Sequence, residues 1–144
     1  MKTVYLDHAA TSWPKPPEVI REAVRSVTEA GGNPGRGSHR LSDMASELLY
    51  AAREEAADFF GGDPERTVFT SGATMSLNTA IRGLARNGCH ILFDSFAHNA
   101  VYRTVCAMTA SGICTADVCR VSGSDDDFLN ELSAKIRWKP EWWC

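Results

Sequence analysis

Apolar residues recur along this chain at two periods, and the change from one to the other marks out its elements. Ile20, Val24 and Val27 fall on one face of a helix predicted over residues 18–30, with Pro17 in its first turn and Gly31-Gly32 as its stop. Residues 41–60 read as the longest helix, because Ala45, Leu48, Leu49, Ala52, Ala56 and Phe59 keep helical spacing up to Gly61-Gly62. Many of its inward residues are small, which suits close packing. Val68 and Phe69 have strand character, Ser71-Gly72-Ala73-Thr74 supplies a sharp turn, and Leu77, Ala80, Ile81 and Leu84 form the stripe of a helix that Asn87-Gly88 stops. A short apolar strand at 90–94, a helix from the 95–99 loop to about 111, a strand at 113–121 and a helix at 127–136 follow. Strands alternating with helices predict an α/β fold with a largely parallel sheet.

The succession strand, glycine turn, helix over residues 67–84 is the corner around which the chain is organised. The first N–H groups of a helix have no intrahelical partner and lie at the positive end of its dipole, so a phosphate can be held there, with the Thr74 hydroxyl added. The competing reading is that Ser71 or Thr74 merely caps the helix. No Lys follows the glycine, so this is not the phosphate loop of nucleoside triphosphate enzymes, and no G-x-G-x-x-G follows a strand to mark a dinucleotide site. His98 lies just past a predicted strand end, where ligands of open α/β sheets bind and where a His can equally cap a helix. The stretch NPGRGSHR at 33–40 concentrates Arg36, His39 and Arg40 in a loop that either meets an anion or carboxylate or is simply a solvated turn. Residues 7–12 are small and polar and suit a loop lining a site.

Composition narrows the possibilities. At 144 residues with 44% apolar content the chain has one domain's worth of material, whole or in part. A net charge of −3 with interspersed signs points to neither a nucleic-acid partner nor an anionic membrane. No run reaches membrane-spanning length and MKTVYLDH lacks a signal peptide's apolar centre, so a cytoplasmic setting is expected. The five cysteines are odd in number and contain no C-x-x-C pair, which predicts reduced structural thiols and no metal centre.

Four motifs then stand in order: YLDHAAT at 5–11, GNPGRGSHR at 32–40, FTSGATMSLN at 69–78 and AHNAVYR at 97–103. With these motifs the chain resembles the cysteine desulfurases, pyridoxal phosphate enzymes of the class V aminotransferase group. The resemblance covers residues 3–136 and implies the N-terminal portion of a fold-type I pyridoxal phosphate-dependent transferase: an α/β fold with a mixed, mostly parallel sheet flanked by helices, here incomplete. Residues 1–32 would form an N-terminal segment and first helix, residues 33–137 part of the cofactor-binding large domain, and residues 138–144 an atypical truncated or frameshifted tail.

The resemblance also implies roles. Ala73 and Thr74 would hold the cofactor phosphate, His98 would stack on the pyridine ring and move protons in catalysis, and Ala10 and Thr11 would lie near the amino-acid substrate, L-cysteine. The loop bearing Arg36, His39 and Arg40 would approach the partner's site in a homodimer. Ala97 departs from the family, where many relatives carry Glu. The family's Schiff-base Lys, its Asp on the pyridine nitrogen and its mobile Cys have no matching motif, and Lys2, Lys15, Lys135 and Lys139 are the only lysines. The implied activity, sulfur abstraction from L-cysteine with formation of alanine and an enzyme persulfide, serving sulfur metabolism and iron–sulfur cluster assembly, is therefore not expected of this chain alone. A selenocysteine lyase or another class V aminotransferase, and a non-catalytic protein that docks on a full-length desulfurase, are the alternatives. An isolated chain with an open sheet is expected to be marginally stable or to aggregate.

Overall fold

The computed structural model describes residues 3–121 and 123–136. The chain falls into two compact units, Met1–Val68 and Phe69–Cys144. In the first, helix α1 (Pro17–Thr28) starts on a proline, whose missing N–H costs nothing at a helix start. Its charged side is laced by Arg25–Glu22 at 2.9 Å and Arg21–Glu18 at 3.6 Å. Its apolar side is open: Ile20, Val24 and Val27 are each more than half exposed.

Helix α2 (Arg40–Phe60) ends on Gly61, whose φ of 67° is the left-handed conformation that closes a helix. It buries Ser42, Ala45 and Ala57, residues small enough for backbone to come close. The preceding loop uses that closeness. Ser42 Oγ donates to Asn33 O at 2.7 Å, and Ser46 Oγ accepts from the Gly35 N–H at 3.1 Å. A Cβ on Gly37 would stand 2.7 Å from the Ser42 Cβ, so glycine is required by space at that point. A 3-10 turn, Pro64–Arg66, follows α2, and Tyr50 on α2 reaches back to it by donating to Glu65 Oε1 at 3.1 Å.

The second unit runs α3 (Ala73–Leu84), β1 (Cys89–Asp94), α4 (Asn99–Ala110), β2 (Cys114–Cys119) and α5 (Asp125–Lys135). Strands β1 and β2 pair in parallel, with Cys89 opposite Cys114 and Asp94 opposite Cys119. Parallel neighbours cannot be joined by a tight turn, so α4 is the crossover, and its face of Ala100, Thr104, Val105 and Met108 is buried. Thr104 Oγ1 lies 2.7 Å from both Asn78 Oδ1 and Ala100 O, and Asn78 Nδ2 donates to Thr74 O at 2.9 Å. Asn78 thus links α3 to α4. Helix α5 opens with a reciprocal cap between Ser124 and Asp127 and is held to β2 where Lys135 Nζ donates to Val118 O at 2.6 Å and Arg120 N–H donates to Glu131.

The predicted helices and the two later strands agree with the structure to within two residues at each end. The strand expected at Val68-Phe69 is not one. The backbone there pairs with no other strand among the described residues, and Val68 and Phe69 are exposed. Apolar β-rich sequence makes a strand only where a neighbour accepts its ladder. The atypical tail proposed for 138–144 lies outside the described residues.

Three outcomes follow from this packing. Thr104→Val leaves the Asn78 carbonyl oxygen without its hydroxyl donor and is expected to lower stability by about 1–3 kcal/mol, read from the urea midpoint at unchanged m. Asp127 is held below the ordinary aspartate pKa by the Ser124 backbone N–H and then by the Ser124 hydroxyl. A depressed carboxyl stabilises the fold above its unfolded pKa and stops doing so as pH falls through its folded one. Amide exchange at the start of α5 is therefore expected to speed up as pH drops below the usual aspartate range, after correction for intrinsic exchange, and Asp127→Asn to flatten the profile. The open faces of α1 and of Phe59 and Phe60 predict that the 144-residue chain binds an apolar dye and self-associates on concentration. A dye-silent monomer in sedimentation would contradict this.

Candidate functional site

The phosphate corner is built on one glycine. Gly72 stands before α3 with φ 154° and ψ 174°, a conformation essentially closed to residues with a Cβ. The neighbouring hydroxyls are turned to holding the turn rather than capping the helix. Thr70 Oγ1 donates to Gly72 O at 3.1 Å and meets Ser76 Oγ at 2.6 Å, while Ser71 Oγ contacts the Met75 sulfur. Among the described residues no side chain caps α3. Of the two readings the sequence left open, capping by Ser71 or Thr74 is therefore not realised. Among the described residues the N–H groups of Ala73 and Thr74 have no acceptor.

His98 occupies the equivalent place before α4. It is the N-cap residue, with Nδ1 accepting from the Ala100 N–H at 3.1 Å. In the neutral ring this leaves the proton on Nε2. The loop that carries it, between β1 and α4, is pinned at several points. Phe96 N–H donates to Asp94 Oδ1 at 2.8 Å, Ser95 N–H to Cys119 O at 2.9 Å, and Val121 N–H to Ser95 Oγ at 3.0 Å. These bonds tie the ends of both strands to the loop, so His98 is held by the sheet as well as by its own helix.

Thr74 and His98 line one cleft of about 420 Å3, within the usual range for a small-molecule site. Asn78, Arg82, Asn99 and Arg103 line it as well. These four were not singled out from the sequence, yet a signal was present. Thr74, Asn78 and Arg82 follow one another at four-residue spacing along one side of α3, as Asn99 and Arg103 do on α4. Neither Arg82 nor Arg103 makes an ion pair with another described residue. The cleft thus combines two guanidinium groups, a helix start with free N–H groups and an imidazole, a donor set suited to an anion.

The other expected site residues belong to the first unit. Ala10 and Thr11 sit in a turn at the end of the Asp7–Thr11 segment, where Ala10 N–H donates to Asp7 O at 3.2 Å and Tyr5 Oη donates to Thr11 O at 2.8 Å and Asp7 O at 2.9 Å. Lys15 Nζ contacts Thr11 Oγ1 at 2.6 Å and the Ser12 carbonyl. His39 is the N-cap of α2, its Nδ1 accepting from the Ser42 N–H at 3.3 Å, and Arg40 is the first residue of that helix. Arg36 is exposed in the loop before them and, like Arg40, makes no ion pair with a described residue. A second hollow, of about 710 Å3, is lined by Pro34, Gly35, Ser46, Tyr50 and Arg53, among others; the buried Arg53 Nε has no hydrogen-bond partner among the described residues. The Tyr50 hydroxyl beside it is raised above its ordinary pKa by its hydrogen bond to Glu65.

No group of three metal-ligating side chains occurs among the described residues, and no described helix is long and apolar enough to cross a membrane.

Residues 4–139 match the family model for aminotransferase class V. A cysteine desulfurase IscS from Psychromonas ingrahamii is 40% identical over 96% of this chain and 35% of its own length. The IscS of Photorhabdus laumondii is 38% identical over 93% of this chain and 34% of its own. Among solved structures, an apo cysteine desulfurase from Thermococcus onnurineus NA1 superposes with a TM-score of 0.72 at 26% identity, over 85% of this chain and 30% of that one. A NifS-like protein gives 0.71 at 28% identity, over 81% of this chain and 32% of its own. The chain spans about a third of the length of the curated relatives it matches. Its fold is the N-terminal portion of a fold-type I pyridoxal phosphate-dependent transferase, and the chain belongs to the class V aminotransferase family.

Proposed function

We propose that this chain is the cofactor-phosphate end of a cysteine desulfurase-like enzyme that acts on L-cysteine. The observation that carries the reading is that Thr74 and His98 line one cleft, each at the start of a helix, with the N–H groups of Ala73 and Thr74 free of other partners. The free N–H groups of α3 and the Thr74 hydroxyl hold a phosphate monoester, at the end of the helix where the dipole favours negative charge. Arg82 and Arg103 add positive charge along the cleft. The His98 ring would face the pyridine of the bound cofactor, and its neutral form carries the proton on Nε2, available for transfer to or from a substrate atom. Pyridoxal phosphate, when bound, supplies the electron sink that lets bonds at the amino-acid α-carbon and sulfur be broken.

The remaining parts of the reading concern residues outside the cleft. Ala10 and Thr11 border the amino-acid substrate, and Arg36, His39 and Arg40 approach the partner's site in a homodimer. The cytoplasm is the setting. The motifs for a Lys that anchors the cofactor, an acidic residue on its ring nitrogen and a sulfur-accepting Cys are not among these residues, so the 144-residue chain by itself holds the cofactor poorly and does not turn over cysteine. Of the described lysines, Lys135 is engaged with Val118 O and Glu131, and Lys15 with Thr11 and Ser12.

Equilibrium dialysis of the chain against pyridoxal phosphate and against pyridoxal tests the reading. The phosphorylated form is expected to bind at least about tenfold tighter, corresponding to about 1.4 kcal/mol, and Gly72→Ala to abolish the difference. Equal binding of the two would refute the phosphate corner. His98→Asn keeps a capping side chain on α4 while removing the ring, and is expected to weaken both ligands by about 2–10-fold, the worth of one aromatic pair. After borohydride reduction and dialysis no covalent pyridoxyl adduct is expected to remain on the chain by mass spectrometry. A retained reduced adduct would show that a Lys of this chain reaches the cofactor.

A further inference from the structure

The parallel register of the sheet sets two cysteines directly against each other. Cys89 opens β1, Cys114 opens β2, and they are register partners, so their side chains leave the sheet on the same face. Adjacent strands lie about 4.8 Å apart, inside the Cα separation that a disulfide spans. The other described cysteines are placed differently. Cys119 is opposite Asp94, Cys106 is exposed on α4, and neither has a cysteine in register. Cys114 is buried at the foot of the crossover, with Thr109 Oγ1 at 3.7 Å from its sulfur, whereas Cys89 is only half-buried, following the Gly88 turn.

We propose that Cys89 and Cys114 form a dithiol that closes to a cross-strand disulfide, with Cys89 as the accessible thiol and Cys114 as the resolving one. A low-molecular-weight disulfide is the oxidant. The Cys89 sulfur, having lost its proton to solvent, attacks one sulfur of the oxidant. The S–S bond of the oxidant breaks, one thiolate leaves and takes up a proton, and a mixed disulfide remains on Cys89. Cys114, losing its own proton, attacks the Cys89 sulfur and expels the second thiol. Two protein thiols are oxidised to one disulfide, and one small disulfide is reduced to two thiols.

The surroundings decide the order of these events. Burial raises Cys89 above the ordinary thiol pKa, and the neighbouring Cys114 raises it further, so Cys89 rests protonated and the first attack is slow. Once the mixed disulfide exists, Cys114 is already in register beside it, and the second step is intramolecular. The bond formed closes β1, α4 and β2 into one loop. It therefore fixes the crossover that positions His98, while lying at the opposite ends of the strands from that residue.

The test uses the reduced 144-residue chain treated with oxidised glutathione, alkylated, digested with trypsin without reduction and read by tandem mass spectrometry. Cys89 lies in the peptide 87–103, and Cys106, Cys114 and Cys119 share the peptide 104–120, so fragmentation within the second peptide assigns the partner. A linked pair 2 Da lighter than the sum of its thiol forms, with the bond at Cys114, is the expected product. It should appear in the monomer fraction and disappear with dithiothreitol. Cys89→Ser and Cys114→Ser are each expected to remove it, and Cys106→Ser to leave it. The same oxidation in urea should spread the bonds over all cysteines, which separates a property of the fold from a property of the sequence. A glutathione adduct that persists on Cys89 unresolved, a folded-state bond at Cys106 or Cys119, or a Cys89–Cys114 yield no higher folded than unfolded would each overturn the proposal.

Discussion

A parallel pair of strands imposes one requirement on everything around it: its crossover has to leave the sheet at one end and return at the other, burying a helix on the way. Here β1 and β2 are that pair and α4 is that helix, with Val105 and Met108 as its most deeply buried apolar residues. The requirement fixes the place of chemistry. The chain must turn from the carboxyl end of β1 into the start of α4, and that turn is where His98 stands and where Asp94, Ser95 and the end of β2 exchange hydrogen bonds. Ligands of open α/β sheets collect at the same end of the strands because helix starts, with their free N–H groups, are brought there by the topology. The second helix start, α3, reaches the cleft through Asn78, whose amide spans Thr74 O on one side and Thr104 Oγ1 on the other.

Asn78 shows how a polar residue in a packed interface sets geometry. Thr104 is almost fully buried, and the Asn78 carbonyl oxygen that meets its hydroxyl would otherwise lack this donor, a loss that costs more than the bond itself is worth. With Asn78 opposite, α3 has one favourable rotation against α4, and Thr74 is carried to the cleft with it. The first unit relies on the same device at smaller scale. Buried Ser42 holds Asn33 O, Ser46 holds the Gly35 N–H, and Gly37 lies against Ser42 because a methyl group would not fit.

Much of this was legible in the sequence where the signal is periodic. The helices are repeats of apolar residues bounded by Pro and Gly, and burial of one face is local information. The two strands were readable for the same reason, their apolar content bounded by turn residues. Val68-Phe69 was not, since β propensity says what fits a sheet and not whether a neighbouring strand is there to pair with it. The roles of the polar residues were harder still. Ser71 and Thr74 were natural caps by type, yet Gly72 has a backbone that sets α3 free of any side-chain cap. His39 and His98 both accept a backbone N–H through Nδ1, one in the Arg-rich loop and one beside the cleft, and nothing in their residue type distinguishes them. The Thr104–Asn78 link joins residues on different helices and leaves no trace at any local period.

The balance between the polar framework and apolar burial differs along the chain, and the difference has a magnitude. Val19, Ile20, Val24 and Val27 on α1 are each more than half exposed. Full burial of one such side chain is worth about 1.5–3 kcal/mol, so covering the exposed part of all four would release roughly 3–7 kcal/mol. That is comparable to the whole stability of a typical domain, about 5–15 kcal/mol. The exposed ion pairs on the opposite side of α1 cannot supply a similar amount, because each is worth at most about 1 kcal/mol. Helix α1 is therefore specified by its own sequence but stabilised by whatever covers it, whereas α4 carries its cover with it in β2 and α3. The cleft is built where α4 has its face of Ala100, Thr104, Val105 and Met108 buried, and a rigid site needs such cover.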